Sequence, residues 1–216
     1  MKIRDKIFYR ANESIIWAKA RHEIVKYKPE KYNGSVYSDR EEWTSFCDIG
    51  DKLTYEEYLD TENRYVNVAK EICDAANCKY MTIVGLENHI DNKDYKKARK
   101  YDRLSHTTLS TSLPDMSANL TEGRRLNMET FSLVIRAVLR QHIFAFLVNE
   151  SKHVCFDFTE NYYMRVNCKT IGLQRLQNIV NQKGLYLNPR EKHFIIVHDN
   201  SIDVWDIPEI DSDKGH

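Results

Sequence analysis

No glycine-rich phosphate loop, no His-Glu-x-x-His and no Gly-x-Ser-x-Gly elbow occurs in this chain, so P-loop, zincin and α/β-hydrolase chemistry lack their usual sequence mark. Net charge is lacking too. Lys plus Arg and Asp plus Glu balance at 32 each, leaving no overall field toward DNA, RNA or an anionic membrane. Proline is scarce, four in 216 residues, and with 42% hydrophobic residues that argues against global disorder. The five cysteines (Cys47, Cys73, Cys78, Cys155, Cys168) form no Cys-x-x-Cys pair. Their odd number suggests a reducing compartment and free thiols, most of them buried as small hydrophobes. The opening Met1-Lys2-Ile3-Arg4-Asp5-Lys6 has no apolar h-region, so no signal peptide is expected. The longest apolar stretch is broken by Arg136, Arg140, Gln141 and His142, which is too polar and too short for a membrane span. These absences lead to the expectation of a cytoplasmic protein with no cofactor and no membrane partner.

Periodicity supplies the positive content. Asn12 can cap a helix over residues 12–27 with Ile16, Ala20, Ile24 and Tyr27 in one stripe. Residues 31–52 read as an aromatic flap carrying Tyr32, Tyr37, Trp43 and Phe46, rings large enough to be drawn onto a core. Thr54-Tyr55-Glu56-Glu57 is a capping box with Leu53 and Tyr58 at the staple positions. The helix it opens turns Tyr58, Tyr65, Ala69, Ile72, Cys73 and Ala76 inward and stops at Asn77. Residues 79–86 then read as a strand with Met81, Ile83 and Leu86 inward. A charged helix over 91–103 and a Ser/Thr-rich loop over 105–121 follow. Met128, Phe131, Val134, Ile135, Val138 and Leu139 mark a second amphipathic helix. The period then drops to two, through His142, Phe144, Phe146 and Val148, then Val154, Phe156 and Phe158, then Tyr162, Met164 and Val166. Thr170 can cap a third helix with Ile171, Leu173, Leu176 and Val180 inward and Ile179 at its edge, ending at Gly184. Strands over 193–197 and 202–207 flank a final turn. The expected fold is a single α+β domain with a mixed or mainly antiparallel sheet and helices packed on one face. Within it, residues 1–52 are helix plus flap, 54–207 the core and 208–216 a tail.

Alternation also suggests a register for the hairpin at 154–167. A three-residue loop, Thr159-Glu160-Asn161, pairs Phe158 with Tyr162, Phe156 with Met164 and Val154 with Val166, making one face wholly apolar. The other face then collects His153, Cys155, Asp157, Tyr163, Arg165 and Asn167 as a polar, mixed-charge surface.

Several fragments of catalytic motifs occur, and each is incomplete. His153, Cys155 and Cys168 suggest metal ligands, but the preferred register puts Cys168 on the opposite face, so no metal site is expected. His106-Thr107-Thr108 is half of a two-histidine phosphoesterase pattern whose second half is missing. Ser110-Thr111-Ser112 with Arg10 matches elements of ADP-ribosyltransferases, but no Glu-x-Glu occurs. Arg136 and His142 fit the spacing of one group of helical ribonucleases; the plainer reading is a helix C-terminus with Arg140 and His142 near its negative end. No catalytic residue is assigned. Charge is unevenly placed nonetheless. Lys93, Lys96, Lys97, Arg99, Lys100 and Arg103 make a basic segment, while Asp199, Asp203, Asp206, Glu209, Asp211 and Asp213 make the end of the chain acidic.

Five runs carry a resemblance: residues 42–50 (Glu-Trp-Thr-Ser-Phe-Cys-Asp-Ile-Gly), Leu53-Thr54-Tyr55-Glu56-Glu57-Tyr58, Val84-Gly85-Leu86-Glu87, Val138-Leu139-Arg140 and Tyr162-Tyr163-Met164. In this order they resemble a group of small bacterial proteins associated with immunity loci of polymorphic and contact-dependent toxin systems. The chain departs from that group in having Phe144 where tryptophan is usual, and a longer turn before Tyr162. The resemblance implies an immunity-type binding protein whose partner is a cognate toxin, with no direct nucleic-acid role. A toxin nuclease needs a cationic cleft. The expected partner-binding residues are therefore Asp203, Asp206, Glu209 and Asp211, together with Asp157, Tyr163 and Arg165 on the hairpin face. The competing expectation is a nucleic-acid-processing enzyme, a nuclease or transferase, using the 105–121 loop or the polar hairpin face.

Overall fold

Thr54 opens a 21-residue helix through the reciprocal cap that its sequence predicts. Its Oγ1 accepts from the Glu57 amide at 3.2 Å, and Glu57 Oε2 accepts from the Thr54 amide at 2.8 Å. That backbone bond holds the Glu57 carboxyl below the usual carboxylate range. The computed structural model describes residues 21–28, 43–88, 119–158, 162–168, 170–188, 193–198 and 201–206. Among them the order is β1 (Arg21–Val25), α1 (Tyr55–Ala75), β2 (Met81–Asn88), β3 (Arg125–Leu126), α2 (Met128–Leu139), β4 (Ile143–Asn149), β5 (Val154–Phe158), β6 (Met164–Cys168), α3 (Leu173–Gln182), β7 (Tyr186–Asn188), β8 (His193–His198) and β9 (Ser201–Asp206).

Seven strands form one antiparallel sheet in the order β3-β2-β4-β5-β6-β1-β7, while β8 and β9 pair in a sheet of their own. The three helices share a core with one face of the large sheet. Tyr58, Tyr65 and Ile72 of α1, Phe131 and Ile135 of α2, and Leu176 and Val180 of α3 join Ile24, Ile83, Leu147, Phe156 and Val166 in a single buried cluster. The class is α+β with an antiparallel sheet, as the alternating pattern predicts. In β2 a bulge between Val84 and Glu87 is built on Gly85 at φ 63°, where a Cβ would stand 3.1 Å from the Phe146 ring.

Four details differ from the sequence reading. Residues 21–25 are a strand and not the end of a helix: β1 lies between β6 and β7 and pairs with both. The stripe Ile16, Ala20, Ile24 fits a helix, but two pairing partners and β-branched Ile24 and Val25 favour a buried strand. The proposed cap Asn12 falls outside the described residues. The β5–β6 register is shifted by two: Phe158 faces Met164, Phe156 faces Val166 and Val154 faces Cys168. A shift of two leaves every side chain on its own face, so alternation cannot detect it. Tyr162 leaves the strand and takes a left-handed φ of 63°.

In β4 the helix-facing residues are Ile143, Ala145 and Leu147, not Phe144 and Phe146. The run Ile143–Val148 is apolar on both faces, so its period is ambiguous. On α3 the cap position is Gly172 rather than Thr170, and Leu173 is 57% exposed, whereas Ile171, Leu176, Ile179 and Val180 are buried. The stops at Asn77 (φ 55°) and Gly184 (φ 70°) agree with the sequence. The basic segment 91–103 and loop residues 105–118 lie outside the described residues.

His22 of β1 is half-buried opposite Val166, and burial lowers its pKa from the ordinary value of 6.5. The unfolded chain then binds more protons than the folded one as pH falls through the ordinary histidine range. Stability should therefore drop on acidification through that range and level off below the folded pKa. Urea melts of wild type and His22→Gln between about pH 7.5 and about pH 5 should show a smaller loss in the variant. An equal or steeper loss in His22→Gln would remove His22 as the source.

Candidate functional site

The strand registers place four polar residues in one row across the sheet. Asn188 of β7 pairs with Glu23 of β1, Glu23 with Arg165 of β6, and Arg165 with Asp157 of β5. Cross-strand partners share a face, and this is the face opposite Ile24, Met164 and Phe156. Asn188 Nδ2 donates to Glu23 Oε2 at 3.1 Å. Arg165 Nε stands 3.6 Å from Glu23 Oε1, and Arg165 Nη1 stands 4.0 Å from Asp157 Oδ2. One guanidinium thus lies between two carboxylates, and Glu23 and Asp157 are both buried. A cation placed this way offsets part of the desolvation that each carboxylate would otherwise suffer.

An aromatic group flanks the row. Lys26 Nζ lies 4.6 Å from the Trp43 ring centroid, 5.2 Å from Tyr163 and 5.8 Å from Tyr27. Tyr27 and Tyr163 meet edge to face at 5.8 Å, and Val25 and Tyr186 complete a small apolar cluster separate from the main core. The ammonium is held against ring faces, where the quadrupoles favour a cation.

Of the residues expected to meet a partner, Asp157, Tyr163 and Arg165 are therefore brought together. They do not make the solvated surface that alternation suggests: Asp157 and Tyr163 are each 5% exposed, and Asn167 beside them is also buried. Cys155 shares their face and is partly exposed, while His153 ends a 3-10 turn at φ 52° and is not on the strand. Asp203 and Asp206 lie on β9, opposite Ile196 and His193 respectively. Glu209, Asp211, His106 and Ser110 lie outside the described residues. Among the described residues no three or more His, Cys, Asp or Glu side chains are grouped to hold a metal ion, and no helix is long and apolar enough to cross a membrane.

A second ionic group, inside the helix layer, escaped the sequence reading. Glu62 of α1 is fully buried; Arg140 Nε donates to its Oε1 at 2.6 Å and Arg140 Nη2 to its Oε2 at 3.0 Å. Arg136 donates to Glu62 as well, and its Nη2 reaches Asn63 Oδ1 at 2.7 Å. Arg140 caps the C-terminus of α2, as the sequence suggests, and is also the interior cation of a bidentate pair. A sequence signal existed: Glu62 sits four after Tyr58 and three before Tyr65, in the middle of the buried stripe of α1.

Around this pair, aromatic rings from distant segments converge. The Trp43 ring is 5.7 Å from Tyr58 and 4.8 Å from Tyr162, Phe46 is 4.8 Å from Tyr58, and Tyr162 is 5.5 Å from both Tyr58 and Tyr65. A capped turn aims the first of them: Ser45 and Asp48 cap each other around Phe46–Asp48, and Asp48 Oδ2 also accepts from the Thr44 amide at 2.7 Å. Burial, with Tyr58 and Glu62 nearby, pushes the Tyr162 phenol well above its ordinary pKa and keeps it neutral. The ionic groups of both clusters face opposite charges, an arrangement suited to holding shape and charge. No protein-family model, curated protein or solved structure matches this chain.

Proposed function

We propose that this chain is an immunity-type binding protein that neutralises a cognate bacterial toxin domain, a nuclease in the first instance, by direct complex formation in the cytoplasm. One observation carries the reading. The runs behind the resemblance to immunity proteins are scattered over more than a hundred residues, yet Trp43, Phe46, Tyr58, Arg140 and Tyr162 from four of them pack as one unit. That supports a shared scaffold over a chance likeness of short words. A neutralising protein needs such a scaffold, together with charge opposed to that of its toxin to steer encounter.

The experiment is co-expression of this chain with each protein encoded by its neighbouring genes, looking for one that arrests growth when expressed alone. Growth should be restored, and the two should co-purify. Toxicity that persists despite soluble chain, or turnover of RNA or NAD by the purified chain itself, would overturn the reading in favour of an enzyme.

The acidic end of the chain supplies a sharper prediction. Asp203 and Asp206 both lie on β9, within the densest set of carboxylates in the sequence. Reversing both with Asp203→Lys and Asp206→Lys should slow association about tenfold or more at low salt and weaken protection. Lys96→Glu and Lys100→Glu should leave the rate unchanged. Stopped-flow association with the toxin domain measures this. Protection lost only on reversing Lys96 and Lys100 would move the interface to the basic segment.

A further inference from the structure

The C-terminus of α1 ends in a full Schellman cap. The Cys78 amide donates to the Cys73 carbonyl at 2.8 Å and the Asn77 amide to the Asp74 carbonyl at 3.0 Å, with Asn77 left-handed at φ 55°. This motif turns the chain so that the second residue after the cap meets the side chain three positions before it, ordinarily as an apolar contact. Here both contact positions are cysteine. Their thiols are free and buried, and the cap sets the two side chains against each other. Two aliphatic side chains would close the cap equally well; two thiols at these positions add a reaction.

We propose that Cys73 and Cys78 form an oxidisable pair that hydrogen peroxide converts to a disulfide, locking the corner between α1 and β2. Cys78 is the attacking sulfur. The adjoining Cys73 thiol lowers its pKa, burial opposes this, and the Lys152 ammonium adds to the lowering. Cys78 in turn, with burial, raises the Cys73 pKa and keeps that thiol protonated. The Cys78 thiolate attacks one peroxide oxygen, the O–O bond breaks, and the departing hydroxide takes a proton to become water, leaving a sulfenic acid on Cys78. Cys73 Sγ then attacks Cys78 Sγ, its proton joins the displaced hydroxide, and a second water leaves. Two thiols and one peroxide thus give one disulfide and two waters.

Cys168 is the natural competitor. It lies close enough to Cys73 to contribute to its raised pKa, but its Sγ is engaged with the Thr170 hydroxyl at 3.4 Å. The sequence makes the competition readable. Cys73 and Cys78 fall in one tryptic peptide, residues 71–79, whereas Cys168 falls in residues 166–169.

The test uses the folded full chain, with the partly exposed Cys47 and Cys155 alkylated first and then equimolar hydrogen peroxide added. Peptide 71–79 should lose two hydrogen masses, two of the three remaining thiols should vanish, and a thiol reductant should restore both. Cys73→Ala should stop at a sulfenic acid on Cys78 that dimedone traps, Cys78→Ala should leave Cys73 unreacted, and Cys168→Ser should still form the bond. Urea melts of each variant establish that it is folded. A cross-link between peptides 71–79 and 166–169, sulfinic acid on Cys78 beside an intact Cys73 in the wild type, or thiols untouched in the folded chain would each overturn the proposal.

Discussion

Glu62→Gln is expected to cost about 3–5 kcal/mol of folding stability, because it removes the anion from two arginines and leaves the Arg140 charge buried without its counter-ion. Arg140 has no exposed side-chain surface, and Arg136 is only 16% exposed, so neither can recover hydration in place. Total stability for a chain of this kind is about 5–15 kcal/mol, so the variant should be marginal. Arg140→Met alone should cost less, since Glu62 keeps the bond from Arg136. The double variant Glu62→Leu with Arg140→Met should recover much of the loss, because apolar side chains remove the desolvation penalty together with the attraction. Urea denaturation at neutral pH compares the three. A double variant as unstable as the sum of the singles would mean that the pair supplies net stability and is not merely costly to break.

How far the sequence reveals this fold depends on how local the information is. The cap at Thr54 is legible because four consecutive residues contain both partners of both hydrogen bonds. The apolar stripe of α2 is legible because a helix repeats its face within one segment. Faces of β5 and β6 are legible from alternation, and Asp157, Tyr163 and Arg165 do share one. The register is not, since pairing Phe156 with Met164 or with Val166 gives the same two faces. β1 hides for a different reason: its partners lie 140 or more residues away, as in Glu23 with Arg165 and with Asn188. Without them the segment reads as a helix, and Glu23 looks like a solvated charge. Arg140 and Glu62 are 78 positions apart, so their pairing depends on α1 crossing α2. Burial on the second sheet face is likewise a tertiary fact: alternation puts Asp157 and Tyr163 on one face but does not reveal that both are buried there.

Phe156→Ala should also cost about 3–5 kcal/mol, the range for removing a buried ring that its surroundings cannot refill. Phe156 is fully buried, pairs with Leu147 and Val166 on its two flanking strands, and its ring is 5.6 Å from that of Phe131 on α2. It therefore joins the middle of the sheet to the helix layer, and its loss leaves a cavity bounded by strands that cannot close without breaking their pairing. Phe156→Leu keeps most of the volume and should cost less than about 1.5 kcal/mol. Leu173→Ala is the informative contrast. Periodicity alone turns both residues inward, but Leu173 is 57% exposed at the start of α3, and its truncation should change stability by less than about 0.5 kcal/mol. Denaturant midpoints for the three variants test the core directly. A Leu173→Ala loss matching that of Phe156→Ala would mean that α3 packs through a different face and that the helix layer is wrongly placed.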